Sequence, residues 1–273
     1  MGGSYDYGRG GRIGIGTPQA NPTVETEFAI LTPPTASVTV TRLTSQAGVP
    51  ADRLRDYLLR LVDHLAAFDT FRPDIFGFGC TASSYVVDPA DERAVLAYCE
   101  DRFGYPIVTA ADAIACTLMR IGAQRIALVS PYPAGLAQAA VRYWQALGYE
   151  LVSVDSAGSL APDADTRGIY ALGSADAAPA IARIDPAKVD AVLLTGTGMP
   201  SLPLIADAPE GLTILSSNLC LAATIYDRLG LGDLLDSASE AAKAWRDRCR
   251  AATASLPRSS DIRTSPYFSS SSS

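Results

Sequence analysis

Histidine is nearly absent from this 273-residue chain, so His64 is the one candidate base for any Ser-His or Cys-His pair. It falls in a helical segment, Arg53 to Phe68, away from the strand ends, and reads as a structural helix residue. No apolar run approaches the roughly 20 residues that cross a bilayer, and residues 1–11 lack the apolar stretch of a signal peptide. A cytoplasmic protein with no membrane role is the expectation. Basic runs are missing too, and the formal charge is −7, which argues against nucleic acid as a partner. The five cysteines, at 80, 99, 116, 220 and 249, are odd in number and form neither a CxxC pair nor zinc-ligand spacing. They read as free thiols in a reducing compartment, and no metal site is expected. There is no GxxxxGK[ST] phosphate loop. Gly14-Ile15-Gly16 hints at a nucleotide fingerprint, but Gln19 stands where the third glycine belongs and both glycines lie inside a strand, where close packing explains them.

What is present is a 48% hydrophobic composition, enough to fill a core at this length. Short β-branched or apolar runs at Arg12–Gly16, Val38–Leu43, Asp74–Phe78, Arg125–Ser130, Leu151–Val154, Val189–Leu194 and Thr213–Leu215 read as strands. Segments with helical spacing separate them, such as Leu54, Leu58, Leu61, Val62 and Leu65. The alternation predicts an α/β fold with parallel sheets flanked by helices.

An internal repeat refines this reading. Arg12 to Pro18 resembles Arg125 to Pro131, Asp74 to Thr81 resembles Asp190 to Thr197, and Pro106 to Gly122 resembles Thr213 to Gly230, in the same order. Two pseudo-symmetric lobes follow: residues 12–122 and 123–230, with a cleft between them. Residues 1–11 are expected to be a flexible lead-in, 231–256 a C-terminal helix packing back on the first lobe, and 257–273 a disordered, serine-rich tail. Ser237 and Glu240 look like a capping box at the start of that helix.

Ligands of parallel sheets bind beyond the carboxyl ends of the strands. That rule gathers Thr17–Asn21, Cys80–Ser83, Ser130–Pro133 and Gly196–Ser201 around one cleft. Cys80 ends an apolar strand and is followed by small hydroxyl residues that start a helix, so a partly exposed thiol with nearby backbone N–H groups is expected. Cys99, Cys116 and Cys220 fall in helical segments and Cys249 near the tail, as core or surface residues. Glu25 and Glu27 are two apart at a helix start, do not share a face, and read as favourable N-terminal charges. Asp101 and Arg102 read as a solvated helix face.

Thr17-Pro18-Gln19-Ala20-Asn21-Pro22-Thr23-Val24-Glu25-Thr26-Glu27, Gly79-Cys80-Thr81-Ala82-Ser83 and Pro131-Tyr132 resemble the maleate isomerase and arylmalonate decarboxylase branch of the aspartate/glutamate racemase superfamily, over nearly all of Arg12 to Gly230. The resemblance implies a cofactor-free enzyme acting on a small carboxylate bound between the lobes. It implies that Cys80 acts on carbon and that Asn21, Thr81, Ala82, Tyr132, Gly196, Thr197 and Gly198 surround the substrate, the side chains of Asn21, Thr81 and Tyr132 and the backbone N–H groups around Thr197 and Gly198 holding carboxylate oxygens. Where two-cysteine members carry a second thiol, this chain has Gly196.

Losing one thiol removes the symmetrical two-thiol route of a racemase and weakens a two-cysteine isomerase. Decarboxylation of an α-substituted malonate needs one proton donor, which Cys80 supplies, with the enediolate held by hydroxyls and N–H groups. That is the first expectation. The alternatives are a maleate-like cis–trans isomerase with Cys80 as nucleophile, and a carboxylate-binding protein without catalysis. A homo-oligomer is compatible with the pseudo-symmetric design, although no interface signal stands out.

Overall fold

The computed structural model describes residues 5–158, 160–161 and 164–254. Its centre is a pair of four-stranded parallel sheets. The first holds β1 (Gly11–Pro18), β2 (Ala36–Leu43), β3 (Ile75–Phe78) and β4 (Ile107–Thr109) in the order β2-β1-β3-β4. The second holds β5 (Arg125–Ser130), β6 (Glu150–Ser156), β7 (Ala191–Leu194) and β8 (Ile214–Ser216) in the order β6-β5-β7-β8. Substituting each strand by its repeat partner turns one order into the other. β4 lies in the repeat block beginning at Pro106 but is not among the runs that read as strands; like its repeat partner β8 it is three residues long.

The central strands read as continuous apolar runs because helices cover both of their faces. Ile13, Ile15, Ile75, Phe76 and Phe78 are fully buried. Gly16 is dictated by this packing, since a Cβ there would lie 2.7 Å from Phe76 Cζ. The helices are α1 (Thr23–Leu31), α2 (Pro50–Leu59), α3 (Leu61–Ala66), α4 (Thr81–Ser84), α5 (Pro89–Phe103), α6 (Ala110–Arg120), α7 (Ala134–Ala146), α8 (Ala178–Ile181), α9 (Leu202–Ala206), α10 (Ser217–Leu229) and α11 (Glu240–Thr253). The segment expected as one helix from Arg53 to Phe68 breaks at Arg60, whose backbone leaves the helical region at φ −105° and ψ 24°.

The repeat extends to the caps. Thr109 ends β4 and its hydroxyl accepts from the Asp112 N–H at 3.1 Å, while Ser216 ends β8 and accepts from the Leu219 N–H at 3.3 Å. Each opens one of two equivalent helices, α6 and α10, which pack against each other between the lobes. α11 is capped by Ser239 rather than Ser237, its hydroxyl accepting from the Ala242 N–H at 3.0 Å. It contacts both α1 and α9. Arg248 donates from it to the carbonyls of Ile30 and Leu31 in α1. Residues 5–10 run into β1, with Tyr5 under the Arg12 guanidinium and the Gly10 N–H on the Thr35 carbonyl. The serine-rich tail at 257–273 lies outside the described residues. Among the described residues, no helix is long and apolar enough to cross a membrane.

Candidate active site

Cys80 sits between the end of β3 and the first turn of α4, and strand ends from both lobes converge there. The cavity beside it, about 30 Å³, is lined from the first lobe by Pro18, Asn21, Cys80, Thr81 and Ala82, and from the second by Tyr132, Gly196 and Thr197. That is room for about two waters, at the 10–15 Å³ each requires. Gly198 stands behind this wall, its α-carbon against the Tyr170 ring, where an added Cβ would lie 2.5 Å from Cε1.

Cys80 is 4% exposed as a residue, not the partly open group expected from its position. Burial pushes it above the ordinary thiol value, while the Ser83 hydroxyl, donating to Sγ at 3.2 Å, and the backbone N–H groups of Ser83 and Ala82 pull the other way. Burial wins, so the resting thiol keeps its proton at neutral pH.

Hydrogen bonds from the cleft walls tie the lobes together. Asn21 accepts the Thr23 N–H on Oδ1 at 2.9 Å and donates from Nδ2 to Thr197 Oγ1 at 3.2 Å. Thr197 passes its own proton to the Gly79 carbonyl at 2.9 Å, and Thr81 donates to Ser217 Oγ at 2.8 Å. These side chains, expected to hold a carboxylate, already have partners. Tyr132 Oη is different: it is buried, lines the cavity, and has no partner in hydrogen-bonding geometry among the described residues, the nearby Thr195 hydroxyl being likewise unpartnered.

Beneath the cleft lies a buried carboxylate. Glu27 of α1 accepts from the Ser201 N–H at 2.6 Å, the Leu202 N–H at 3.0 Å and Asn218 Nδ2 at 2.7 Å, all on the second lobe. Its pKa is raised by burial against the pull of these donors. Glu25, two residues earlier, faces outward and pairs with Arg42. The different faces were legible; the burial of Glu27 was not.

The remaining wall comes from residues that the strand-end rule does not reach. Arg53 and Tyr57 of α2, with Arg167 and Tyr170 from a 3-10 turn at Thr166–Ala171, close the cavity opposite Cys80. Arg53 is 3% exposed. Its Nη2 lies 2.6 Å from Asp165 Oδ1, and Arg167 Nη2 lies 2.8 Å from Asp165 Oδ2. Two guanidinium groups therefore share one carboxylate, leaving one positive charge in excess at the cavity wall. Asp165 is held down at about 2, chiefly by its hydrogen bond from Arg167. Burial lifts Tyr57 to about 12 and raises Tyr170 as well, so both phenols stay neutral donors.

Other candidates fall outside the cavity. His64 is buried in α3, its backbone carbonyl accepting from Thr41 Oγ1 at 3.3 Å. Cys99, Cys220 and Cys249 are buried and Cys116 is exposed. Among the described residues, no cluster of three or more potential metal ligands occurs.

Known proteins similar to this chain include maleate isomerases and an arylmalonate decarboxylase. A maleate isomerase from Nocardia farcinica is 28% identical over 243 residues, covering 81% of this chain and 90% of the relative. Among solved structures, a cysteine-to-serine variant of Nocardia farcinica maleate cis-trans isomerase with a covalently bound succinylcysteine intermediate matches at a TM-score of 0.70 and 24% identity, covering 86% of this chain and 98% of that one. This chain has the maleate isomerase fold. An arylmalonate decarboxylase crystal structure shares it more distantly, at a TM-score of 0.57 and 19% identity, over 81% and 91% of the two chains. No family model matches the sequence. The maleate isomerase and arylmalonate decarboxylase likenesses agree with the branch of the aspartate/glutamate racemase superfamily that the motifs resemble.

Proposed function

We propose that this protein is a cofactor-free cis–trans isomerase of a small, maleate-like dicarboxylate, with Cys80 as the nucleophile. The observation that carries this reading is the excess positive charge at Arg53 and Arg167 in the same small cavity as the thiol. A substrate with an anionic group at each end suits the charge of such a cavity. The identity with a maleate isomerase over most of both chains supports the same choice.

One carboxylate lies near the reacting carbon, among Asn21, Thr81, Ala82, Gly196 and Thr197, with Gly198 behind that wall. The other faces Arg53 and Arg167. Cys80 loses its proton to solvent, and its thiolate adds to one alkene carbon. The π pair moves to the adjacent carbon as an enediolate, and protonation there leaves a single bond; after rotation a proton is removed from that same carbon, its C–H pair becomes the trans double bond, and the S–C bond breaks to free the thiolate.

A second reading has its own support. Gly196 removes the second thiol, and burial keeps the proton on Cys80, as a proton donor to a decarboxylated malonate requires. The two differ in a trappable intermediate. Acid quenching during turnover of maleate, followed by peptide mass mapping, is expected to find a succinyl thioether on Cys80. An adduct on another cysteine, or turnover with no adduct, rejects the isomerase reading. Thermal stabilisation by maleate without adduct or product marks a binding protein instead.

A further inference from the structure

The chain lacks the second thiol, but the place of that thiol is not vacant. Gly196 corresponds to Cys80 in the repeat, and its backbone lies in the left-handed region at φ +95°. A Cβ there would lie 2.9 Å from Pro131 Cγ and 3.4 Å from Tyr132 Oη. A side chain at 196 is thus opposed twice, by backbone conformation and by the Pro131-Tyr132 turn that fills its space. The phenol that fills it is buried, lines the cavity and is unpartnered, as is the Thr195 hydroxyl beside it, while the polar side chains of Asn21, Thr81 and Thr197 that line the cavity are engaged. Its ring is fixed by an edge contact with Tyr85, and Tyr85 Oη in turn accepts from Trp144 Nε1 at 3.1 Å.

From this geometry we infer that Tyr132 is the proton-transferring partner of Cys80, a phenol standing in for the second thiol on the second-lobe side of the substrate. The inference rests on the isomerase reading above. When the Cys80 thiolate forms the S–C bond, Tyr132 gives its hydroxyl proton to the adjacent carbon and becomes a phenolate. After rotation the phenolate removes a proton from that same carbon, the C–H pair becomes the double bond, and the S–C bond breaks to return the thiolate. Burial, the largest cause, holds the hydroxyl proton firmly, so the phenolate is a strong base.

A single acid-base group fixed on one side has a stereochemical consequence. Taking back the proton it has just given, in the same geometry, regenerates the cis alkene. Reaching the trans alkene requires rotation to present the other hydrogen, so the delivered proton stays in the product. Fumarate formed from maleate in deuterium oxide therefore carries one solvent-derived deuterium.

The test follows maleate conversion in deuterium oxide by proton NMR for the unmodified protein and for Tyr132→Phe, with thermal stabilisation by maleate measured on both. The expected result is monodeuterated fumarate from the unmodified protein. Tyr132→Phe should remain folded, since its hydroxyl has no partner to lose, keep its maleate-induced stabilisation, and lose about 10²- to 10⁴-fold in kcat. Unlabelled fumarate, or a Tyr132→Phe kcat within about tenfold of the unmodified protein, overturns the role of Tyr132 and leaves the isomerase reading standing. A rise in KM with kcat unchanged also overturns it, because the phenol would then only hold a carboxylate. No fumarate from the unmodified protein overturns both.

Discussion

Two opposing influences meet at the sulfur of Cys80. Burial favours the neutral thiol, and three nearby donors favour the thiolate without overcoming it. An enzyme that needs the thiolate then gains activity as pH rises. Below the raised Cys80 pKa, kcat/KM should climb roughly tenfold per pH unit, still rising past the ordinary thiol value of 9.0. A decarboxylase using the same group as an acid shows the opposite sign, flat at neutral pH and falling once the proton is lost. Profiles of kcat/KM from pH 6 to 10 separate the two, and a flat or falling curve for maleate contradicts the nucleophilic role. The place of Cys80 between a strand end and a helix start was legible from a cysteine followed by small hydroxyl residues. Its burial was not, because the residues that cover it, Tyr57, Tyr132 and Tyr170, come from three distant places in the chain.

At the scale of elements, the proposed reaction takes its reacting groups from the strand ends and its counter-charge from α2 and the 3-10 turn at Thr166–Ala171. Alternating apolar runs and the internal repeat made the sheets and the lobe-related motifs readable, since both depend on short-range pattern. Arg53 and Arg167 gave no such signal: an arginine in an amphipathic helix and another in a polar loop look like solvent-facing residues until the chain is folded. Arg167 is half-exposed, so Arg167→Gln should fold normally. Removing one charge-assisted contact of about 1.5–3 kcal/mol is expected to raise KM for a dicarboxylate about 10- to 100-fold while kcat changes little. Steady-state kinetics with maleate tests this, and an unchanged KM removes Arg167 from the substrate's seat.

For the whole molecule, catalysis requires the two lobes to keep their relative position, and Glu27 is the buried contact best placed to fix it. Glu27→Ala leaves the Ser201 and Leu202 N–H groups and the Asn218 amide without their acceptor, each worth about 1–3 kcal/mol when stranded. A loss of about 3 kcal/mol or more in urea unfolding is expected, with activity falling alongside. Because burial raises the Glu27 pKa above its ordinary 4.5, the folded protein holds this proton to higher pH than the unfolded chain does. Its contribution is full below 4.5 and declines as pH rises through the raised value, a slope that Glu27→Gln should abolish. In the sequence this residue looked like an N-terminal helix charge. Only the approach of the second lobe turns it into a buried acceptor.

The central claim is that Cys80 drives isomerisation of a small dicarboxylate without a cofactor, and its most direct test is maleate conversion by the purified protein and by Cys80→Ala, followed by proton NMR in metal-free buffer. The account predicts fumarate from the unmodified protein and none from a Cys80→Ala variant that keeps its thermal stability. Fumarate formed equally by both proteins would contradict it.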